Sequence, residues 1–326
     1  MKVNLFLSYW IYILLTTEAK TSKKIDFAVG GQAVVEGVMM RSPNHIAISV
    51  RKPNNEVKTK SKPYKTLTQR FKFLNLPIIR GVLNLFEMMY IGTDAINFSA
   101  NESLPEEENQ KKENKYLNTF LFAFSIIFAL FLSLMLFKFT PLLLTTFFEN
   151  KIPFIKENYI VFNLIDGALK ILIFLSYLYL LTLWKDFRRI FEYHGAEHKS
   201  IFAYENNKEL TPENASKESR FHPRCGTSFI LIVFLTSILV YTFVPKQDTF
   251  ILNFSIRLLF LPLIAGVSYE YLKISAKHSN NFFVNALITP GLYFQKLTTL
   301  EPNSSQLEVA ISSLKSVLES EDNSSK

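Results

Sequence analysis

Cysteine is nearly absent from this sequence, since Cys225 is the single cysteine among 326 residues. One cysteine excludes an intramolecular disulfide and leaves a free thiol, which is either an inert packing group or a soft metal ligand. The sequence also lacks an internal repeat and a recognised nucleic-acid-binding motif. The net charge of +8 therefore does not predict a nucleic acid partner. It is more typical of a topology signal and of attraction to anionic membrane lipid.

Four long stretches contain almost no charge and consist mainly of apolar residues. They cover residues 117–137, 159–184, 226–244 and 250–272. Because about 20 apolar residues cross a bilayer, each stretch predicts a transmembrane helix, although the fourth contains Arg257 and Glu270. We therefore expect a polytopic α-helical membrane protein with about four transmembrane helices in a membrane domain of residues 117–272.

The second apolar stretch contains two charged residues, Asp166 and Lys170. They lie four residues apart, so on a helix they share one face and can form an ion pair that lowers the cost of insertion. Such a pair can serve an ion path. We interpret it as structural, because the other stretches offer no continuing polar track.

Basic residues are scarce in two of the predicted loops and frequent in the other segments. Lys and Arg number 16 in residues 20–116, 8 in residues 185–225 and 5 from residue 273, against 2 in residues 148–158 and 1 in residues 245–249. Basic residues accumulate on the cytoplasmic side of a membrane. This distribution predicts a multi-pass protein of the plasma membrane whose N- and C-terminal portions are cytoplasmic.

The residues outside the membrane domain fall into segments of different composition. They are an apolar N-terminal leader or anchor (1–24), a cytoplasmic β-rich module (25–75), an interfacial or half-buried helix (76–100), a charged linker (101–116) and a cytoplasmic C-terminal segment (273–326). Within the β-rich module, Pro53-Asn54-Asn55 predicts the turn of a hairpin.

Two of these segments show helical periodicity. In the helix of residues 76–100, polar positions from Arg80 to Asp94 form one stripe, which predicts either contact with something polar or a solvated face. In the C-terminal segment, apolar positions from Leu307 to Leu318 predict an amphipathic helix, with Ser304 and Ser305 as its caps. Its apolar face must pack on the cytoplasmic module or on a partner.

The clearest chemical motif is His194-Gly195-Ala196-Glu197-His198 in the predicted cytoplasmic loop 185–225. It matches H-x-x-E-H, the inverted form of the zinc-protease helix motif. Residues four apart share a helix face, so His194 and His198 can bind one metal ion. Glu197 lies about one residue's rotation away, where it can act on water as a general base.

The same loop contains a second pair of ligands just before the third apolar stretch. His222 and Cys225 can both bind a metal, and a turn at Pro223-Arg224 could direct them towards the first pair. We expect a divalent metal, zinc by preference, on His194, His198 and at least one of His222 and Cys225, because imidazole and thiolate suit this ion. The alternative interpretation is that these side chains cap membrane helices at the interface.

Several stretches of this chain resemble the YqhQ-like family of bacterial membrane proteins of unknown function. The matching stretches, in chain order, are GGQAVVEGVMMRSP, LPIIRGV, FEYHGAEHKSI, LTPENA, RFHPRCGTSF, AGVSYE and LTTLEPNSSQLEVAI. They extend from about residue 29 to residue 313, which is nearly the whole chain. The resemblance implies a metal-dependent enzyme that uses the same His and Cys positions, and it implies no substrate.

The sequence is compatible with two functions. The first is a metal-dependent membrane hydrolase at the cytoplasmic membrane face, in which Glu197 is catalytic and the substrate is lipid-linked or membrane-embedded. The second is a non-enzymatic assembly or regulatory protein in the membrane, with a structural metal or none, acting through a protein partner. Coordination number discriminates between them, because a closed four-ligand site is typical of structure and an open three-ligand site of catalysis.

Overall fold

The computed structural model describes residues 29–104, 115–223, 225–277 and 282–324. The predicted leader or anchor of residues 1–24 lies outside these ranges, as does most of the predicted linker. The described part is mostly helical, with one antiparallel sheet near its N-terminal end.

The sheet has four strands that pair in chain order. They are β1 (Gly30–Val34), β2 (Gly37–Arg41), β3 (His45–Arg51) and β4 (Val57–Pro63). The predicted hairpin turn joins β3 to β4, and Asn55 adopts the left-handed conformation there with φ 66°, which Asn tolerates better than most residues. Side chains alternate between the faces of a strand, so Met39 and Ile48 enter one apolar core and Met40 and Ala47 enter another.

All the other regular elements of the described chain are helices. They are α1 (Leu67–Arg70), a 3₁₀ turn (Lys72–Leu74), α2 (Ile79–Glu102), α3 (Lys115–Leu134), a π-helical turn (Met135–Phe139), α4 (Thr140–Glu149), α5 (Pro153–Glu157), α6 (Tyr159–Thr182), α7 (Lys185–Glu205), α8 (Pro212–Ser216), α9 (Gly226–Thr242), α10 (Phe250–Leu259), α11 (Leu261–Lys277), α12 (Phe282–Thr298) and α13 (Ser304–Ser324).

In the part of the chain that the structure describes, three helical segments are long and apolar enough to cross a membrane. They are Ala123–Glu149, Tyr159–Thr182 and Phe250–Ile274. The remaining predicted span forms α9, which is apolar but has only 17 residues. Among the described residues, the long apolar helices define a multi-pass membrane protein.

Helix α2 joins the sheet to the apolar helices. Its buried residues Ile91 and Ala95 pack on one face of the sheet. Its polar stripe is used internally, because Arg80 forms a two-bond ion pair with Glu270 of α11 and Asp94 binds Lys62 of β4. The stripe therefore contacts polar groups of the same chain.

The predicted pair of Asp166 and Lys170 is present, but it is not isolated. Arg257 of α10 binds the same carboxylate, and Lys138 of the π-helical turn lies close by, on the ring of Tyr241. The expectation that the other apolar stretches contribute no polar track was therefore wrong. The fold brings together charges that lie about 120 residues apart in the sequence.

Helix α12 follows the last long apolar helix and packs across α9. A Cβ atom on Gly291 would lie only 2.7 Å from the hydroxyl oxygen of Ser228, so this glycine permits the close approach of the two helices. Phe294 packs with Leu178 and Leu231. The C-terminal end of α12 is thereby held beside the first residues of α9.

Helix α13 is the amphipathic helix predicted at the C-terminus. It packs between the sheet and α7, and the apolar side chains that it buries include Leu307, Ile311 and Leu314. The predicted serine caps were wrong, because Asn303 caps the helix by accepting from the N–H of Gln306. The Gln306 side chain accepts in turn from the N–H of Asn303, a reciprocal arrangement that satisfies two backbone donors.

Candidate metal centre

The H-x-x-E-H motif lies in the second half of helix α7, which begins only three residues after the apolar helix α6 ends. Gly195 lies where the chain after α12 crosses this helix. A Cβ atom there would be 2.0 Å from the carbonyl oxygen of Leu300, and the N–H of Leu300 donates to the carbonyl of Phe191 at 2.9 Å. Glycine is thus required at this position so that the C-terminal chain can pass close to the histidines.

The imidazole of His194 is fixed by the end of α12. Its Nδ1 lies 2.8 Å from the carbonyl oxygen of Thr298 and must donate to it. The other nitrogen, Nε2, then carries a lone pair, and it lies 3.2 Å from the sulfur of Cys225. A histidine that binds metal commonly donates its second nitrogen to a carbonyl in this way.

The imidazole of His198 has a similar arrangement. Its Nδ1 lies 2.5 Å from the carbonyl oxygen of Arg220, so Nε2 carries the lone pair. Among the described residues, no partner within strict hydrogen-bond geometry reaches this buried Nε2, although the thiol of Cys225 lies close enough to affect the imidazole. The two imidazole rings are 4.4 Å apart between centroids.

Cys225 is brought to the histidines by helix α9, of which it is the N-terminal cap. Its sulfur accepts from the N–H of Thr227 at 3.4 Å, and the side chain is buried. The N-terminal end of a helix favours negative charge, as on a thiolate that binds metal. The ligand atoms of His194, His198 and Cys225 all lie within 4.8 Å of one another. These three residues, which we call the His/Cys group, could therefore hold one metal ion.

His222 does not belong to the His/Cys group, although sequence placed it among the candidate ligands. Its Nε2 lies 3.3 Å from a carboxylate oxygen of Glu205, and its ring centroid is 5.7 Å from that of His198. The backbone of His222 is held on both sides by the amide of Gln295, which donates to its carbonyl and accepts from its N–H. The structure thus pairs this histidine with a carboxylate beside the group.

Glu197 is buried between α7 and strand β1. The N–H of Gly31 donates to its carboxylate, and a Cβ atom on Gly31 would lie 3.0 Å from the carboxylate carbon. Burial raises the pKa of this carboxyl, against the opposing effects of His194 and His222. Glu197 therefore lies beside the His/Cys group and outside its three ligand atoms.

Burial also determines the protonation of the histidines around the site. It lowers the pKa of His198, although the thiol of Cys225 acts in the opposite direction. It lowers the pKa of His222 to about 4. Both imidazoles are therefore neutral at pH 7, and neutral imidazole is the form that binds a metal ion.

The groups that orient the ligands could not be found by motif. The carbonyls of Thr298 and Arg220 carry no side-chain signature, and Gln295 lies in a segment to which the sequence assigned no helix. Thr298 and Arg220 do lie in two stretches through which the chain resembles a known family, LTTLEPNSSQLEVAI and RFHPRCGTSF.

Fold and site together define a multi-pass membrane protein with a buried His/Cys group at the ends of its apolar helices. The chain belongs to a family described as "Protein of unknown function (DUF1385)", whose sequence model matches residues 76–320. It is 34% identical over 299 residues to the "Uncharacterized protein YqhQ" of Bacillus subtilis (strain 168), which covers 90% of this chain and 93% of that protein. The resemblance to the YqhQ-like family is thereby confirmed. No solved structure matches the chain.

Proposed function

We propose that this protein is a metal-dependent membrane hydrolase that acts at the cytoplasmic membrane face. The observation that carries the proposal is the convergence of His194, His198 and Cys225, whose ligand atoms lie within 4.8 Å of one another. Two imidazole nitrogens and one sulfur suit zinc. Because His222 is paired with Glu205, the group supplies three protein ligands, which is the number typical of a catalytic zinc site.

The residues around the group have separate roles in this proposal. His194, His198 and Cys225 hold the metal, and the carbonyls of Thr298 and Arg220 keep the two imidazoles in the correct tautomer. A zinc ion with an open position polarises a carbonyl or phosphoryl oxygen and makes water more acidic. Glu197 accepts the proton from the attacking water, and its raised pKa brings it closer to neutrality, where a general base works best.

The position of the group supports a membrane-associated or lipid-linked substrate. Helix α7 begins just after the apolar helix α6, and Cys225 caps the apolar helix α9. The exposed side chains of Leu183 and Trp184 lie at the junction of α6 and α7, and tryptophan favours the membrane interface. In the four-span topology that we propose, with α9 as the short span, the distribution of basic residues makes this the cytoplasmic side.

A second function is favoured by the burial of the group. His198 is 1% exposed and Cys225 is 7% exposed, and the group links α7 to the start of α9. A metal in such a place would stabilise the assembly of the two helices. In this alternative the protein is non-enzymatic and the metal, if bound, is structural.

Metal analysis of the purified protein tests the proposal. We expect about one zinc per chain in the wild type and loss of most of it in His194→Ala and His198→Ala. His45→Ala is the matched control, because His45 pairs with Glu321 in the cytoplasmic part and lies outside the group. Equal metal content in all four proteins would refute the assignment of ligands.

The coordination of the bound zinc separates the two functions. X-ray absorption should show one sulfur, two imidazoles and a light atom that exchanges with solvent, if the site is catalytic. A fourth protein ligand would favour the structural alternative. Glu197→Gln should keep the zinc and remove hydrolysis of a membrane-linked substrate, since base and ligand are separate residues.

A further inference from the structure

A second cluster of polar side chains lies between the apolar helices. The carboxylate of Asp166 accepts hydrogen bonds from Lys170 on its own helix and from Arg257 on α10. The ammonium group of Lys138 lies 3.4 Å from the hydroxyl oxygen of Tyr241, which in turn donates to the carbonyl of Arg257. We call these five residues the basic cluster.

The basic cluster lies deep in the membrane-spanning segments. Lys170 and Arg257 are about 17 Å and about 10 Å from the first residues of α6 and α10, at about 1.5 Å per residue. The hydrocarbon core of a bilayer is about 30 Å thick. Ionisable side chains at such a depth are costly, and they commonly mark binding sites or ion pathways.

Three basic side chains in this cluster share one carboxylate. Asp166 binds Lys170 and Arg257, and in the described part of the chain no carboxylate lies within ion-pair distance of Lys138. The ring of Tyr241 lies between 4.7 and 5.4 Å from all three basic groups, which offsets part of their cost. An aromatic ring has no net charge, however, so one carboxylate remains the only anionic partner of three basic side chains among the described residues.

The local geometry also differs from a plain structural ion pair. Lys138 lies on the π-helical turn Met135–Phe139, and such turns occur frequently at functional sites. Its side chain, with those of Lys170 and Arg257, lines one cleft that is too narrow to hold a water molecule, and Phe254 and Leu258 add an apolar wall. In the described part of the chain, one buried oxygen of Asp166 has no hydrogen-bond partner, so Lys170 and Arg257 do not use this carboxylate fully.

We propose that the basic cluster binds the phosphoryl group of a phosphate ester or of free phosphate. Arginine and lysine donate charge-assisted hydrogen bonds to phosphate oxygens, and the anion gives the basic side chains a second anionic partner beside Asp166. Leu258 is 38% exposed on the outer surface of the helices, so the apolar wall of the cleft reaches the lipid. The cleft must widen to admit the ligand.

Thermal unfolding of the full-length protein tests this proposal. In detergent, the probe is inorganic phosphate, with chloride at equal ionic strength as its control. In nanodiscs, the probe is phosphatidic acid in phosphatidylcholine, with phosphatidylcholine alone as its control. A rise in Tm with inorganic phosphate identifies a site for free phosphate. A rise with phosphatidic acid only identifies a lipid headgroup as the source.

Variants of Lys138 show whether the basic cluster is responsible. We expect Lys138→Gln to weaken probe binding about tenfold to a hundredfold, as the loss of one charged hydrogen bond does, and Lys138→Arg to retain most of it. Lys156→Gln is the matched control, because Lys156 is exposed on α5 and lies outside the basic cluster. Without a probe, Lys138→Gln should have an unchanged or higher Tm, since it relieves repulsion between like charges.

Two results would overturn the proposal. The first is the absence of a Tm shift with either probe in the wild type. The second is a shift of the same size in the wild type and in Lys138→Gln, which would place the binding elsewhere. A lower Tm of Lys138→Gln without a probe, together with no probe effect, would show that the cluster is structural.

Discussion

The close contact at Gly195 gives a sharp test of how the His/Cys group is assembled. In Gly195→Ala the new Cβ atom would lie 2.0 Å from the carbonyl oxygen of Leu300 and 3.3 Å from Cδ of Pro302. An ordinary contact is about 3.5 Å, so the C-terminal chain must move away from α7 by about 1.5 Å. That movement breaks the hydrogen bond between Leu300 and Phe191 and withdraws the carbonyl of Thr298 from the ring of His194.

The energetic terms of this substitution act in opposite directions. Alanine is favoured over glycine in a helix by about 1 kcal/mol. Overpacking costs about 1–3 kcal/mol, and the lost backbone hydrogen bond costs a further 0.5–1.5 kcal/mol or so. We therefore expect a net destabilisation of roughly 1–3 kcal/mol, with partial loss of zinc, because His194 is no longer held in one tautomer.

The assay combines thermal unfolding with metal analysis, and Gly226→Ala is its matched control. Gly226 is next to Cys225 in the first turn of α9, and nothing lies within 4 Å of a Cβ atom placed there. The control should retain both Tm and zinc. If Gly195→Ala were as stable as the wild type and kept its zinc, the C-terminal chain would not contact α7 as described, and the orientation of His194 would need another cause.

Three further predictions follow from other parts of the molecule. Leu314→Ala should destabilise the protein by about 2–5 kcal/mol, the usual cost of such a cavity, because Leu314 is fully buried between the sheet and α7. Lys315→Ala, on the exposed side of the same helix, is the control and should leave Tm unchanged. Burial lowers the pKa of His222 to about 4, so as pH falls the unfolded chain takes up a proton on this imidazole before the folded chain does. The metal-free protein should therefore lose stability between about pH 6.5 and pH 4. The slope of Tm against pH should be smaller in His222→Gln, and an equal slope would show that other groups are responsible. The topology can be tested with single cysteines in a Cys225→Ser protein and a membrane-impermeant thiol reagent applied to whole cells. Cysteines in residues 148–158 should react, and cysteines in residues 200–215 should not. The reverse pattern would invert the proposed topology.

The periodic features of the sequence were sufficient to predict most of the architecture. Long apolar runs, a hairpin turn at Asn55 and the apolar stripe of α13 correspond to described elements. Each of these signals is local, because a helix or a hairpin repeats its pattern within a few residues. The cap of α13 was assigned one residue too late, since Ser304, Ser305 and Asn303 are all good caps and only the geometry selects Asn303.

The candidate ligands were predicted better than their partners. Spacing alone puts His194 and His198 on one helix face, and Cys225 is the only thiol in the chain. Nothing in the spacing shows that His222 turns towards Glu205, because the two residues lie 17 apart in the sequence and His222 lies only three residues before Cys225. That choice depends on Gln295, which holds the backbone of His222 from a distant helix.

The two polar sites both involve α9, with Cys225 at its first turn and Tyr241 in its last turn. Helices α6 and α9 touch at Gly167, where a Cβ atom would be 2.3 Å from Cγ1 of Ile238. From Tyr241 in the basic cluster to Cys225 in the His/Cys group, α9 extends for about 24 Å at about 1.5 Å per residue. Among the described residues, no hydrogen bond or ion pair joins a residue of the His/Cys group to a residue of the basic cluster. Substitutions in the two sites should therefore act independently, as is usual for residues more than about 10 Å apart. Loss of zinc without loss of phosphate binding, or the reverse, then identifies which of the two sites a given substitution has damaged.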